Sequence, residues 1–284
     1  MLRSCLGEDW VAATTAELWS CGMAQSSRLT SIASRMRRLG SRTVRTQLGL
    51  PPRRFAPDRP DRYDAEFERL GTPCYLIGYF QNAAYWNDVV DGMAVEVATR
   101  LGLTPDPAGP PVVGIHLRRD TYLDEGWALP AAYYRQAVEV VSAHLRGAGP
   151  HSAPTWRVVG DDPTFVAAFA DQLSGDGHEV EPVPRSGDRP DPLDALDDLR
   201  RLARCDHLII SNSSFAWWAA ALGDVGHAGR GRLVTVPDRW VDGVAPESLR
   251  RTAWTVVEAP DDGLSAVPGS FGPWWAAAEH VSPP

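Results

Sequence analysis

The stretch His207-Leu208-Ile209-Ile210-Ser211-Asn212-Ser213-Ser214-Phe215-Ala216-Trp217-Trp218 decides the reading of the chain. Apolar, partly β-branched residues run into a cluster of hydroxyl and amide side chains. Phe215 to Leu222 then resumes as an apolar helix. The pattern is that of a buried strand, a tight polar turn and a buried helix. Asn212 or Ser213 is placed to cap that helix. The backbone N–H groups of its first turn would face outward at the carboxyl end of the strand, where α/β folds bind anions. A capped core helix that binds nothing shows the same pattern, so the turn gains meaning only from its neighbours.

Those neighbours repeat the alternation. Working outward, the pattern predicts strands at 112–117, 156–159, 180–183, 208–210 and 232–236. Helices are predicted at 129–145, 163–173, 193–204 and 213–222. Strands alternating with helices of this length mean βαβ units and a parallel sheet covered on both faces. Upstream, 72–78 predicts another buried strand, followed by a helix from about 79 to 101. Thr104-Pro105-Asp106-Pro107-Ala108-Gly109-Pro110-Pro111 is a punctuated linker. It sets the expected boundary between an amino-terminal domain, 1–105, and a Rossmann-like domain, 106–284, whose tail carries Trp240, Trp254, Trp274 and Trp275. A short helix is also expected over 8–19.

Composition narrows the function classes. A chain of 284 residues with 44% hydrophobic and 23% charged residues has the make-up of a globular protein with a sizeable core. Its net charge of −8 argues against a general nucleic-acid binder, which needs a surplus of basic side chains. Cys5, Cys21, Cys74 and Cys205 lie far apart and form no C-x-x-C pair, so neither a zinc knuckle nor a disulfide framework is indicated. No stretch reaches the roughly 18 apolar residues of a membrane span. Between Trp19 and Pro57 there is no acidic residue, while Arg28, Arg35, Arg37, Arg38, Arg42, Arg45, Arg53 and Arg54 accumulate. Such a run is more often a solvated helix face, but it is also the kind that touches anionic lipid or a nucleotide.

In an open α/β sheet, ligands collect at the carboxyl ends of the strands. The first strand of the regular segment delivers His116-Leu117-Arg118-Arg119-Asp120. Alternation puts His116 and Arg118 on one side and Arg119 on the other. An arginine there suits a phosphate or diphosphate, and equally an ion pair with a carboxylate such as Asp120 or Asp124. The second strand ends in Gly160-Asp161-Asp162-Pro163. Pro163 fits a helix N1 position with Asp162 as its cap, while a carboxylate there also suits the N–H edge of a purine. Adjacent aspartates lack the D-x-D spacing usual for a nucleotide-sugar metal site. A third strand end carries Ser211 to Ser214, with Asp198 on the helix before it. Taken together, these ends describe a nucleotide-diphosphate pocket.

In this order and spacing, the segments resemble glycosyltransferase family 11, the α-1,2-fucosyltransferases. Val113-Gly114-Ile115-His116-Leu117-Arg118-Arg119 is similar to the family's V-G-V-H-x-R-R, and Asp161-Asp162 to its S-D-D. The span Asp198 to Cys205 is similar to D-x-x-L-M-x-x-C, and His207 to Leu222 to H-x-I-I-x-N-S-S-F-S-W-W-x-A-x-L. Gly78-Tyr79-Phe80-Gln81, Tyr122-Leu123, Tyr133-Tyr134 and Pro237-Asp238-Arg239-Trp240 also fall where family elements do, so the likeness runs from about 72 to 257.

The resemblance implies a GT-B-like fold of two Rossmann-like domains with parallel sheets, the first incomplete. It implies inverting transfer of L-fucose from GDP-fucose to the 2-hydroxyl of a galactoside in a glycan, with no metal and no other cofactor. Arg118 and His116 are the implied catalytic residues. The implied donor site comprises His116, Arg118, Arg119, Asp161, Asp162, Asp198, Asn212, Ser213, Ser214 and Phe215. In that scheme Arg118 meets the β-phosphate, Asp162 holds guanine, and Ser213 and Ser214 receive phosphate or ribose. The partners are GDP-fucose and a galactose-containing acceptor, with no nucleic acid. The expected location is cytoplasmic, with the Arg-rich run able to hold the chain peripherally at the inner face of a bacterial membrane.

Two departures qualify this. The family reads H-x-R-R-G-D-Y where this chain has His116-Leu117-Arg118-Arg119-Asp120-Thr121-Tyr122, so the carboxylate comes one residue early. The family's amino-terminal Gly-Gly-x-Gly-Asn-Gln segment does not occur in the sequence. The alternatives are therefore a degenerate, non-catalytic nucleotide-sugar or glycan-binding module and, less favoured, a metal-dependent enzyme using Asp161 and Asp162.

Overall fold

A computed structural model of the chain describes residues 55–57, 63–69, 75–77, 80–105, 109–147, 153–181, 192–241 and 244–260. The expected helix at 8–19, the Arg-rich run before residue 55, and Trp274 and Trp275 lie outside the described residues. The chain divides into two compact units, one from Leu6–Trp86 and the other containing Asn87–Pro284.

The smaller unit contributes two short parallel strands, β1 (Phe55–Pro57) and β2 (Tyr75–Ile77), and 3-10 turns at Ala65–Arg69 and Ala83–Tyr85. Tyr63, Phe67, Phe80 and Tyr85 form an aromatic cluster with ring centroids 4.8–5.8 Å apart.

The larger unit begins with α1 (Val90–Arg100). It continues through β3 (Val112–Leu117), α2 (Asp120–Asp124), α3 (Ala131–Gly147), β4 (Thr155–Gly160), α4 (Pro163–Gly175) and β5 (Glu179–Val180). Then come α5 (Pro192–Ala203), β6 (His207–Ile209), α6 (Ser214–Gly226), β7 (Val234–Pro237) and β8 (Thr255–Val257). The six strands form one wholly parallel sheet in the order β5-β4-β3-β6-β7-β8. Read in chain order, this is the doubly wound Rossmann arrangement: the chain steps outward from β3 to β5, then returns to the other side of β3 and steps outward again.

Alternation along β3 assigns the two layers. Val113, Ile115 and Leu117 are buried in one core with Tyr134, Val138 and Val141 of α3 and Phe165 and Phe169 of α4. Gly114 points the other way. A Cβ there would come within 2.6 Å of Leu208, 2.9 Å of the Cys205 sulfur and 3.3 Å of Leu202 on α5, so the missing side chain lets α5 and the turn after it pack close to the sheet. On that layer α6 packs against both α5 and α1. Helix α1 buries Val90, Ala94 and Ala98, a spacing of four that forms one stripe.

That packing explains where the units part. The compact units divide at Trp86/Asn87, upstream of the Pro-rich linker at 104–111. Helix α1 belongs with the sheet because its small-residue stripe packs on α6. The expected helix at 79–101 is also shorter. Phe80 has φ 50°, a 3-10 turn follows, and regular helix begins only at Val90.

After β7 the chain packs back over the unit through Trp240 and Trp254. Trp217 Nε1 donates to the Leu249 carbonyl at 2.7 Å, Trp254 Nε1 donates to Asp224 at 2.9 Å, and Trp240 and Trp254 are buried. The residues after Trp254, Thr255–Val257, supply the sixth strand, β8. Among the described residues, no helix is long and apolar enough to cross a membrane.

Candidate functional site

Strand order places the candidate site. The direction of stepping reverses between β3 and β6, and the crevice outside their carboxyl ends is where such sheets bind ligands. The two strand ends are joined there directly: His116 Nδ1 and Ser211 Oγ are hydrogen-bonded at 2.8 Å, and the His116 ring lies 5.3 Å from that of Phe215. His116 is 5% exposed. Burial, with the adjacent Arg118 charge, pushes its pKa down to about 3, so the imidazole is neutral at ordinary pH.

Arg118 leaves the end of β3 and is half-buried. Its Nη1 lies 2.9 Å from Asp161 Oδ2, its Nη2 is 3.4 Å from Thr121 Oγ1, and its guanidinium carbon sits 5.0 Å above the Tyr122 ring. The ion-pair partner is thus neither Asp120 nor Asp124. Asp120 is exposed and forms the first residue of α2. Asp161 sits at the end of the neighbouring strand β4, and its second oxygen accepts the Arg119 backbone N–H at 2.8 Å. Burial raises the Asp161 pKa, opposed by that N–H and by Arg118.

Arg119 points to the opposite layer, as alternation requires. It is 4% exposed, with its guanidinium 4.2 Å over the Phe165 ring of α4. That is a packing position, on the other side of the sheet from His116. Asp162 caps α4: its side chain accepts the Phe165 N–H at 3.0 Å, with Pro163 at the first helical position. Asp198 lies within α5, 3.6 Å from Arg201, which in turn approaches Glu181 at 3.6 Å; Glu181 is held by Arg157 at 2.7 Å. These form an ion-pair chain along the α5 layer rather than part of the His116–Arg118 cluster.

The β6 end supplies the remaining residues. Ser213 is the N-cap of α6 with φ −120° and ψ 133°, but its side chain makes no capping hydrogen bond. Ser214 is exposed at the helix start, and Phe215 is half-buried against His116. Asn212 is 1% exposed; its Nδ2 donates to the Trp127 carbonyl at 2.8 Å, while its Oδ1 has no hydrogen-bond partner. The Trp127 indole N–H is likewise buried and unbonded, which leaves one acceptor and one donor near the crevice unsatisfied. Below, the Tyr133 hydroxyl donates to the Ile210 carbonyl and ties the end of β6 to α3.

The structure therefore brings together His116, Arg118, Asp161, Asn212, Ser213, Ser214 and Phe215. It places Arg119, Asp162 and Asp198 in packing, capping and ion-pair roles. Sequence reasoning placed Ser211 at the strand end without giving it a role, and did not assign Thr121, Tyr122 or Trp127 to the site. Ser211 was visible as a polar residue following a strand. The other three lie on α2 and its following loop, whose short polar sequence carries no periodicity. Among the described residues, no three His, Cys, Asp or Glu side chains gather as a metal site.

Comparison with known proteins gives a consistent answer. The family model described as glycosyl transferase family 11 matches residues 60–243. A galactoside alpha-(1,2)-fucosyltransferase 1 of Oryctolagus cuniculus is 26% identical over 175 residues, covering 57% of this chain and 42% of its own length. The protein of the same name from Saimiri sciureus is 27% identical over 202 residues, covering 66% of this chain and 46% of its own. The chain thus spans less than half the length of these curated relatives.

Proposed function

Because the chain belongs to glycosyl transferase family 11, we propose that its strand-end crevice holds the diphosphate of GDP-fucose and that the protein transfers fucose to the 2-hydroxyl of a galactoside. The observation that carries this reading is Arg118, fixed by Asp161 and Tyr122 at the topological switch point beside the uncapped N-terminus of α6. A guanidinium and the first-turn amides of a helix together form a seat for a diphosphate. The curated relatives are named as alpha-(1,2)-fucosyltransferases, which supports fucose as the sugar and a galactoside as the acceptor.

In this mechanism the acceptor hydroxyl attacks the anomeric carbon from the face opposite the diphosphate, with inversion. As the C–O bond to GDP breaks, negative charge grows on the leaving phosphate. Arg118 and the α6 amides stabilise it in place, and removing one such donor typically costs roughly 10²–10³-fold in kcat. Neutral His116, held through Ser211, lines the crevice without adding a second positive charge. An oxocarbenium-like transition state lowers the demand on a general base, and the proton of the acceptor hydroxyl passes to solvent as the new glycosidic bond forms. No metal is required: Asp161 is committed to Arg118 and Arg119, and Asp162 to the α4 cap.

The test is transfer of labelled fucose from GDP-fucose to a panel of galactosides in the presence of EDTA. Transfer that collapses in Arg118→Ala supports the proposal. Binding of GDP with no transfer to any galactoside would instead make the chain a nucleotide-sugar-binding module.

A further inference from the structure

One carboxylate in the crevice performs two tasks at once. Asp161 Oδ1 accepts the backbone N–H of Arg119 at 2.8 Å, and Oδ2, buried and accepting no hydrogen bond, is ion-paired with Arg118 Nη1 at 2.9 Å. The end of β4 thereby fixes both the main chain leaving β3 and the side chain that β3 delivers. Tyr122 covers one face of the same guanidinium at 5.0 Å, and Thr121 lies 3.4 Å from its Nη2. Rotation of Arg118 is restrained on three sides, while about a third of the side chain stays exposed.

Capping of α4 gives no reason for a second aspartate here, and the Arg119 N–H engages only one of its two oxygens. Asp162, not Asp161, caps α4. A side chain only 17% exposed carries a desolvation cost, and this one is raised in pKa by that burial. Beyond the bond to the Arg119 N–H, the charge of this carboxylate faces Arg118.

We propose that Asp161 is a positioning residue: it holds the Arg118 guanidinium in the orientation that meets the departing phosphate and offsets part of its charge until then. This rests on the donor reading given above. Two consequences follow that a merely structural aspartate would not produce. Neutralising Asp161 leaves Arg118 with its full charge toward a diphosphate, so ground-state binding of GDP is kept or tightened. The guanidinium is then no longer oriented, so the catalytic step slows. Binding and turnover move in opposite directions because only one depends on orientation.

The experiment compares the full chain with Asp161→Asn, which keeps the shape and an oxygen for the Arg119 N–H, and with Asp161→Glu, which keeps the charge. Phenylglyoxal modification of Arg118, mapped by peptide mass, reports the hold on the guanidinium without reference to activity. Calorimetry with GDP reports binding, and fucose transfer reports kcat. The expected result is several-fold faster Arg118 modification in Asp161→Asn, a GDP Kd equal to or below wild type, and kcat lower by on the order of 10²-fold. Asp161→Glu should restore part of kcat. Modification and kcat both unchanged, or a parallel loss of GDP binding and kcat, overturns the positioning role. A wild-type chain that binds no GDP overturns the donor reading and the purpose assigned to the clamp. The modification rates still show whether Asp161 restrains Arg118.

Discussion

Acidification should weaken the fold through His116, by an amount that can be worked out. In the unfolded chain a histidine takes up a proton near pH 6.5; in the folded chain this one does so only near pH 3, because burial and Arg118 disfavour the cation. Between those values the unfolded state binds the extra proton. Stability is therefore unaffected above about pH 6.5 and falls as pH drops toward 3. Each pH unit is worth about 1.4 kcal/mol, so at pH 5 the loss is about 2 kcal/mol relative to pH 7. The perturbation is His116→Asn, which has nothing to titrate, and the assay is urea unfolding of both proteins at pH 7, 6 and 5. Other groups, including His207, which is pushed down to about 4 mainly by burial, remain in both proteins and cancel in the difference. The gap between wild type and variant should narrow by about 2 kcal/mol from pH 7 to pH 5. Parallel curves would refute the claim that His116 is buried in its neutral form.

Three further outcomes follow from the packing and ion pairs. Gly223→Ala should destabilise by about 1–3 kcal/mol in thermal or urea unfolding, because its Cβ would lie 2.1 Å from Arg232 Nη1 and 2.5 Å from the Ala203 carbonyl, forcing α6 away from the end of α5. Asp162→Ala should cost about 1 kcal/mol by removing the α4 cap, with GDP binding measured alongside; loss of binding beyond what the stability change explains would give Asp162 a direct part in the donor site. Glu181, whose pKa is lowered chiefly by its hydrogen bonds from Arg157, contributes stability that is present above the ordinary glutamate range and lost as pH falls through it. Glu181→Gln should therefore lower the melting temperature modestly at pH 7, and the two melting curves should converge in acid.

What could be read from the sequence was what local physics determines. The expected strand at 112–117 matches β3, and the strand–turn–helix at 207–222 is present as β6 and α6. The Asp162-Pro163 cap was legible because a cap and its amide are three residues apart. What could not be read depends on contacts distant in sequence. Arg118 finds Asp161, 43 positions on, only because β3 and β4 pair in register from Val112↔Thr155 to Leu117↔Gly160. His116 meets Ser211 across 95 residues because β6 returns to the other side of β3. Strand β8 was hidden for a related reason. At the sheet edge Thr255 and Val256 are exposed, so the segment lacks the continuous buried run that marks a central parallel strand.

The central claim is that the crevice between β3 and β6 is a seat for a guanine nucleotide built around Arg118. Its most direct test is a thermal-shift titration of the full chain and of Arg118→Ala with GDP, GDP-fucose and UDP, each with EDTA present. Ligand at about 100 times its Kd adds about 2.7 kcal/mol to folding stability. For a unit of this size that corresponds to a shift of roughly 5–10 °C. Such a shift is expected with GDP and GDP-fucose, little with UDP, and none in Arg118→Ala. Equal stabilisation of wild type and Arg118→Ala, or stabilisation by UDP alone, would contradict it.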